Sequence, residues 1–480
     1  MGKVVIYQML PRLWGEGRLS CIDEACFAYL KTLGVSHIWY TGIIRHSTAQ
    51  PFVKGTPGSP YAISDYYDVN PYLADAEDSR MAEFEDLVKR THDAGMKVII
   101  DFVPNHVGRD YGRERCRTDI AYLGDHDDVS QHWTASNDFF YYPGQPFIMP
   151  APGTFDENPA KATGNCFTPA PSADDWYDTV KINYCDFHTS TWDKMLDILM
   201  FWASKGVDGF RCDMVELVPP QFFTWAISRV KERFGDTIFI AEAYCKDTYA
   251  SYIREVGFDY LYDKSGFYDT IRAIMAGQAP ASRLSGDWQW LGDLQPHMLN
   301  FLENHDEQRF ASPHFGGMAS NTAAPLYMSA AFNTSAFMIY FGEEIGEAAA
   351  DTGDGRTSIF NFTDIPALRR LYAYIHTGTG LEEGEAAILR LFRDAMAFAV
   401  MDGDTYDLGY CNGGSFDRNR HFAFLRRQPS GTSMVFLNFS PSASEADVVI
   451  PQHAAELWGI TSGTVHVCAG PFGATVTKID

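Results

Sequence analysis

Acidic, basic and histidine side chains recur at the ends of four short apolar segments of this 480-residue sequence. Carboxyl and imidazole groups serve as general acids, general bases and nucleophiles. One carboxylate at a strand end is usually a cap or a surface charge, but a set of such groups at the ends of successive strands predicts a catalytic centre. The set comprises Asp101 and His106, Arg211 and Asp213, Glu242, and His305 and Asp306.

Eight strand-like segments alternate with helix-like segments and would position these side chains. Amphipathic helical patterns lie between the strands, and the last helix is expected between residues 366 and 401. This alternation fits a closed parallel (β/α)₈ barrel better than an open sheet, and barrel active sites lie at the carboxyl ends of the strands. The strands are predicted at residues 4–8, 35–40, 97–102, 207–211, 237–242, 258–262, 297–302 and 335–341.

Two stretches interrupt the alternation. Residues 108–189 are rich in Asp, Pro, Gly and aromatic residues and are too long for a plain loop, which indicates a domain inserted after the third strand. From about residue 401, short alternating apolar runs without helical period indicate an antiparallel β-sandwich. The predicted fold is therefore α/β: a (β/α)₈ TIM barrel of residues 1–107 and 190–400, an inserted B domain of 108–189 and a C-terminal β-domain of 401–480.

The composition limits the partners. The chain has 38 Lys and Arg against 62 Asp and Glu, a formal net charge of −24. This balance argues against nucleic acid, whose phosphates need clustered cations. Aromatic residues make up 14% of the chain and either stack on the apolar faces of sugars or fill the core. No apolar run approaches the roughly 20 residues of a membrane span, and the sequence leaves the oligomeric state open.

The cysteines and the first residues bear on location. Nine cysteines show no paired spacing, which is typical of buried thiols in a reducing compartment. The short apolar run near the N-terminus is broken by Pro11 and lacks the features of a secretory signal. A cytoplasmic location is therefore favoured, and a secreted or periplasmic one stays open if a signal peptide has been removed.

Four short motifs carry a resemblance to a known family. DFVPNH at 101–106, GFRCD at 209–213, the Glu of IAEAY at 240–244 and NHD at 304–306 are similar to the four signature regions of the α-amylase family, glycoside hydrolase family 13. Their order and spacing match, and FGEE at 341–344 also resembles the family. The similarity covers most of the chain and includes an insertion like the family's B domain.

The resemblance implies a role for each site residue. Asp213 would be the nucleophile, Glu242 the general acid/base and Asp306 the third acid, which binds sugar hydroxyls. Retaining glycoside cleavage needs two carboxyl groups about 5–5.5 Å apart. Arg211 would keep Asp213 ionised, whereas Glu242 needs a raised pKa. The implied substrate-binding residues are Tyr61, His106, Arg211, His305 and Asp101.

One departure from the family concerns calcium. Asn105 occupies a position whose side chain often ligates calcium in the family. The Lys-His pair that follows the nucleophile in many endo-acting members is replaced here by Met-Val-Glu-Leu at 214–217. We therefore expect no required cofactor, while calcium bound by Asn105 stays open.

The predicted function is that of a retaining α-glycoside hydrolase. It would cleave α-glucosidic bonds in α-glucans or α-gluco-oligosaccharides by double displacement through a covalent glycosyl-aspartate. A transglycosylase of the glucan-transferring or trehalose-forming kind is the alternative, because a sugar hydroxyl can replace water. A non-catalytic sugar-binding relative is disfavoured because all three acids are present. A metal-dependent barrel hydrolase with His106 and His305 as ligands lacks any HxH or HExxH pattern.

Overall fold

Eight parallel strands close into a barrel in the computed structural model, which describes residues 2–479. Each strand pairs with its neighbours in chain order, and the eighth pairs with the first. The predicted (β/α)₈ barrel is confirmed, and every predicted strand overlaps an observed one. The strands are β1 (Val5–Met9), β2 (His37–Tyr40), β3 (Lys97–Phe102), β4 (Gly209–Cys212), β5 (Ile238–Ala241), β6 (Tyr260–Tyr262), β7 (Met298–Phe301) and β8 (Phe337–Tyr340).

The sequence of β3 shows why these segments form strands and what they position. Its residues read KVIIDF, and all except Lys97 are buried. Parallel strands covered on both faces are near-continuous apolar runs, so a charged residue within one stands out. Asp101 is that residue in β3, and it lies in register with Arg211 on β4. The two side chains therefore share one layer at the end of the barrel.

Ten helices accompany the barrel strands in the described part of the chain. Two features differ from the predictions: α7 was not predicted, and the closing helix is two helices, α9 and α10. Gly378 divides them, because its left-handed backbone (φ 74°) ends α9. The helices are α1 (Glu24–Lys31), α2 (Arg80–Asp93), α3 (Ser190–Ser204), α4 (Pro220–Arg233), α5 (Tyr249–Ser251), α6 (Asp269–Met275), α7 (Arg283–Leu291), α8 (Ala323–Tyr327), α9 (Pro366–Thr377) and α10 (Glu383–Ala399).

Short π-helical turns extend three of these helices at 252–256, 264–268 and 328–332. Among residues 2–479, no helix combines the length and the apolar character that crossing a bilayer requires.

The chain between β3 and α3 forms the expected insertion. Its strands are short: His106–Gly108 pairs with Thr179–Lys181, and Tyr141–Tyr142 pairs with Ala160–Lys161. The first pair joins the segment just after β3 to the segment before α3, so both ends of the insertion are held near the carboxyl end of the barrel. A further antiparallel pair outside the insertion, Ile44–His46 with Ile63–Val69, was not predicted.

Two antiparallel sheets follow α10 and share an apolar core, as expected for a β-sandwich. The absence of helix expected here is wrong, because α11 (Gln452–Trp458) lies between the strands of the smaller sheet. Its seven residues are too few to show helical period. The larger sheet has the order β9–β10–β11–β14, and β12 pairs with β13. The strands are β9 (Asp404–Asp407), β10 (His421–Gln428), β11 (Gly431–Asn438), β12 (Ser444–Ile450), β13 (Gly463–Ala469) and β14 (Ala474–Ile479).

The apolar core of the barrel continues into the larger C-terminal sheet. The ring of Phe332, which follows α8, lies 5.1 Å from that of Phe422 and 5.2 Å from that of Phe424 on β10. All three side chains are fully buried in one cluster with the barrel residues. The limits given above for the three domains stay predictions, since packing is continuous across residue 400.

Phe332→Ala tests whether this shared core stabilises the protein. Removing a fully buried ring leaves a cavity, and such changes cost about 3–5 kcal/mol of the free energy of unfolding. We expect a clear fall in the melting temperature (Tm), measured by calorimetry. Phe187→Ala, which truncates a ring that is 57% exposed, is the control. Equal Tm values for the two variants would contradict this prediction.

Candidate active site

A cavity of about 290 Å³ opens where the sequence places the ionisable side chains. Two predicted residues lie directly against it rather than in its wall: Arg211 is fully buried and Asp101 is nearly so. The structure thus brings all eight predicted catalytic and substrate-binding residues together. The six that line the cavity are Tyr61, His106, Asp213, Glu242, His305 and Asp306.

The guanidinium of Arg211 bridges the two carboxyl groups assigned to catalysis. Its Nη1 donates to Oδ1 of Asp213 at 2.7 Å, and its Nη2 lies 2.9 Å from Oε2 of Glu242. Nη1 also lies 3.6 Å from Oδ1 of Asp101, and Nη2 lies 4.0 Å from Oδ2 of Asp306. One buried cation therefore faces carboxyl groups from four strand ends.

Glu242 follows β5 and is held at both carboxyl oxygens. Oε2 accepts a hydrogen bond from the backbone N–H of Met214 at 2.8 Å, and Oε1 accepts one from the hydroxyl of Tyr244 at 2.6 Å. Met214 has a left-handed backbone (φ 46°), unusual for a residue with a side chain. That turn directs its N–H toward Glu242 immediately after Asp213.

Burial sets the protonation of the two acids. It raises the pKa of Asp213, while the positive charge of Arg211 opposes the rise. Burial also raises the pKa of Glu242. The positive charge of Arg211 opposes this rise, and the negative charge of Asp213 adds to it. Because one carboxylate disfavours ionisation of the next, the pair suits one charged and one protonated group at neutral pH.

The third acid, Asp306, faces the cavity. Burial and the charge of Glu242 raise its pKa to about 8. Its side chain is 42% exposed to the cleft, so water there screens part of this shift. Its Oδ2 lies 3.1 Å from Nε2 of His305, so the carboxyl group is held at the mouth of the cavity and stays accessible.

A hydrogen-bonded layer supports these acids. Oδ1 and Oδ2 of Asp101 accept hydrogen bonds from Tyr61 at 3.2 Å and from Trp39 at 2.9 Å. The hydroxyl of Tyr61 also lies 2.5 Å from Nε2 of His305, and the two rings stack at 5.2 Å. Gln8 Nε2 lies 2.8 Å from Nδ1 of His305, an arrangement that suits a proton on Nε2. Burial lowers the pKa of His305 well below its usual value, so the ring is neutral.

His106 lies on the insertion side of the cavity. Its ring is 5.3 Å from that of Trp176, and burial lowers its pKa to about 4. A neutral imidazole and an aromatic ring side by side offer a hydrogen-bonding edge and a stacking face. This combination suits a sugar ring, which presents hydroxyls at its edge and C–H groups on its faces.

Asn105, the candidate calcium ligand, does not line the cavity. Its Oδ1 accepts a hydrogen bond from Nζ of Lys181, and its Nδ2 donates to the carbonyl of Gly164 at 2.9 Å. Another group of metal-ligating side chains lies elsewhere in the described chain, at the start of α1: Asp23, Cys26 and His376. There Asp23 and His376 form a direct ion pair at 2.9 Å.

Sequence reasoning missed several residues of the site. Tyr244 lies two positions after Glu242, and the two-residue period of an extended chain could have placed both on one side. Trp176, Lys54 and Asp178 also line the cavity. They come from irregular segments, where no periodic pattern points to a surface.

Comparison with known proteins finds similarity to one family. A family model described as "Alpha amylase, catalytic domain" matches residues 14–237. Neopullulanase 2 of Thermoactinomyces vulgaris is 24% identical over 339 residues, which is 68% of this chain and 49% of that protein. An α-1,4-glucan:maltose-1-phosphate maltosyltransferase of Cereibacter sphaeroides is 26% identical over 276 residues, 53% of this chain and 34% of that protein. The chain thus spans half or less of the length of these two relatives.

A solved structure gives the same picture of the fold. The cyclic α-maltosyl-(1→6)-maltose hydrolase of Arthrobacter globiformis superposes with a TM-score of 0.68 at 17% identity. The alignment covers 99% of this chain and 98% of that one. At this identity the likeness establishes the architecture, including the insertion and the C-terminal sheets, and not the substrate.

Replacement of Arg211 tests whether it stabilises the buried acids. Arg211→Met leaves Asp213 and Glu242 without their cation, so their folded-state pKa values rise further above the unfolded ones. A carboxyl group with a raised folded-state pKa makes the folded state less stable as pH rises from its unfolded pKa, near 4, up to its folded pKa. We expect a loss of about 3–5 kcal/mol at pH 7.5 and a smaller loss at pH 5.

The measurement is the difference in Tm between wild type and variant at the two pH values. Arg211→Lys, which keeps the charge, should lose less at pH 7.5. A loss that does not depend on pH would mean that Arg211 acts through packing alone.

Proposed function

We propose that this chain, which belongs to the α-amylase family of glycoside hydrolases, is a retaining α-glycoside hydrolase acting on α-glucans or α-gluco-oligosaccharides. The observation that carries the proposal is the bridging of Asp213 and Glu242, which line the cavity, by one guanidinium buried behind them. The cavity of about 290 Å³ is just below the usual range of ligand pockets, about 300–1,000 Å³.

Asp213 is the nucleophile in this proposal. Its hydrogen bond from Arg211 at 2.7 Å stabilises the carboxylate form. Attack on the anomeric carbon gives a covalent glycosyl-aspartate and expels the aglycone oxygen. Glu242, kept protonated by burial and by the charge of Asp213, donates a proton to that oxygen. As a carboxylate it then takes a proton from a water molecule whose oxygen attacks the anomeric carbon. This attack breaks the bond to Asp213 and releases the sugar with retained configuration.

The remaining side chains hold the sugar during these steps. Asp306 presents its carboxyl group to sugar hydroxyls at the mouth of the cavity, and His106 presents its imidazole from the insertion side. His305, whose Nε2 lies against Tyr61 and Asp306, holds both of these side chains in place. Tyr61, stacked on His305, offers its ring to the sugar. Hydrogen bonds that strengthen as the ring distorts lower the barrier more than they strengthen ground-state binding.

Glucosyl transfer is the second candidate. It is supported by the similarity to a maltosyltransferase, since hydrolases and transferases of this kind share the covalent intermediate. Product profiling on a panel of α-1,4 and α-1,6 oligosaccharides, with and without added maltose or inorganic phosphate, separates the two. Free sugars as the main products support hydrolysis, and longer oligosaccharides or sugar phosphates support transfer.

Glu242→Gln and Asp213→Asn should fail in different ways. A sugar leaving group needs a proton and an activated aryl group does not, so Glu242→Gln should cripple cleavage of maltooligosaccharides and spare glycosylation by aryl α-glucosides. Deglycosylation stays slow because the base is missing. Azide needs no base and should restore turnover with an α-glucosyl azide product. Asp213→Asn should lose several orders of magnitude on both substrates, with no rescue.

The product azide is identified by NMR. A β-configured azide from Glu242→Gln, or equal impairment on good and poor leaving groups, would refute the role of Glu242. Wild-type turnover by Asp213→Asn would refute the role of Asp213.

Tyr244→Phe should move the basic limb of the pH profile. The hydroxyl of Tyr244 donates to Glu242 Oε1 and stabilises the carboxylate, so its removal raises the pKa of Glu242. The acid then stays protonated to higher pH, and the basic limb of kcat/KM shifts upward by about one unit, equivalent to ~1.4 kcal/mol. Tyr410→Phe, in the exposed C-terminal region, is the control. A shift to lower pH would contradict this prediction.

A further inference from the structure

The ammonium group of Lys181 lies where three parts of the chain meet. Its Nζ donates to Oδ1 of Asn105, just after β3, and to the carbonyl of Leu217 at 3.0 Å, in the turn after β4. Lys181 itself ends the insertion strand Thr179–Lys181, which pairs with His106–Gly108. One side chain thus connects the insertion to the loops that follow two neighbouring barrel strands.

Asn105 is the centre of this junction. It is fully buried, and its backbone carbonyl accepts a hydrogen bond from the N–H of Ile182 at 3.0 Å. Its Nδ2 donates to the carbonyl of Gly164. Every polar group of the Asn105 side chain therefore has a partner within the insertion, and Oδ1 has a cationic one.

This arrangement does not fit a calcium ion. Calcium takes six to eight oxygen ligands at about 2.3–2.6 Å. Two oxygens suited to the task, Oδ1 of Asn105 and the carbonyl of Leu217, are bonded to an ammonium group instead. A divalent cation placed between them would meet the positive charge of Lys181 at contact distance, which is strongly repulsive at a buried site.

We propose that the ammonium of Lys181 is an internal cation that replaces calcium at this junction, fastening the insertion to the catalytic loops without a metal ion. Lys181 is a positioning residue and touches neither cavity nor substrate. Leu217 lies four residues after Asp213, so the bond to its carbonyl fixes the turn that carries the nucleophile. The bond to Asn105 fixes the segment that presents His106.

The expected consequences of removing the charge are local. Lys181→Met keeps the length of the stem and leaves the buried Oδ1 of Asn105 and the carbonyl of Leu217 without this donor. We expect a lower Tm at pH 7, faster cleavage by trypsin within residues 108–189, and a KM raised roughly tenfold with a smaller change in kcat.

Misplacing a substrate-contacting group by about 1 Å can cost up to about 100-fold in rate. The pH is chosen because burial lowers the pKa of Lys181 to about 8, and the ammonium is still charged at pH 7.

Lys161→Met is the matched control, since Lys161 lies in the same insertion and its Nζ is 3.4 Å from Glu157. It should leave Tm, proteolysis and KM unchanged. Lys181→Gln, which keeps a donor without the charge, is measured alongside and serves if Lys181→Met does not fold. We expect Lys181→Gln to show the same changes in smaller degree, and wild-type behaviour of either variant would overturn the proposal.

The metal is tested directly on the wild-type protein. EDTA should leave Tm and activity unchanged, and added calcium should not raise them. A fall in Tm with EDTA that calcium reverses would overturn the proposal. The measurements of KM, kcat and activity rest on the proposed hydrolase function. If the protein cleaves no α-glucoside, that function fails, while the Tm and proteolysis measurements still decide the role of Lys181.

Discussion

The buried guanidinium of Arg211 is the charge around which the end of the barrel is built. A cation taken out of water is costly unless carboxylates face it, and each of those carboxylates is equally costly without the cation. Asp213, Glu242 and Asp101 lie within 2.7–3.6 Å of its nitrogens. The cation and the carboxylates therefore depend on one another. The same charges that suit catalysis also offset the cost of burying each member of the cluster.

Strand register brings these groups together. Arg211 on β4 is in register with Asp101 on β3, and the parallel ladder continues to β5, which ends just before Glu242. Neighbouring positions in a parallel sheet direct their side chains to the same side. A barrel therefore converts short motifs that are far apart in the chain into a single cluster, provided that each motif ends its strand at the same level.

The loops add what the strands do not supply. The insertion contributes Trp176 and Asp178 to the cavity, the segment that leads into it contributes His106, and the segment after β5 contributes Tyr244. The relatives it matches bear the names of a neopullulanase and a maltosyltransferase. If the proposed function holds, the residues that such loops bring to the cavity are the ones placed to select the sugar that binds.

The sequence by itself determined the barrel and the acids of the site. Apolar runs such as KVIIDF predict buried parallel strands because both faces of such strands are covered, and a charge at the end of the run then stands out. This reasoning reached Asp101, Asp213, Glu242 and Asp306. It failed for α11, which has only seven residues, and for the paired helices α9 and α10, where one left-handed glycine divides a continuous amphipathic pattern.

Only the tertiary structure decided the contacts that cross between segments. The hydrogen bond from the backbone N–H of Met214 to Glu242 depends on the left-handed turn at Met214, whose conformation no residue pattern reveals. The placement of Lys181 against Asn105 joins residues 76 apart in the chain. Periodicity reports which side of its own strand or helix a residue occupies. It carries no information about what a distant irregular segment places against that side, because the folding of the whole chain sets that contact.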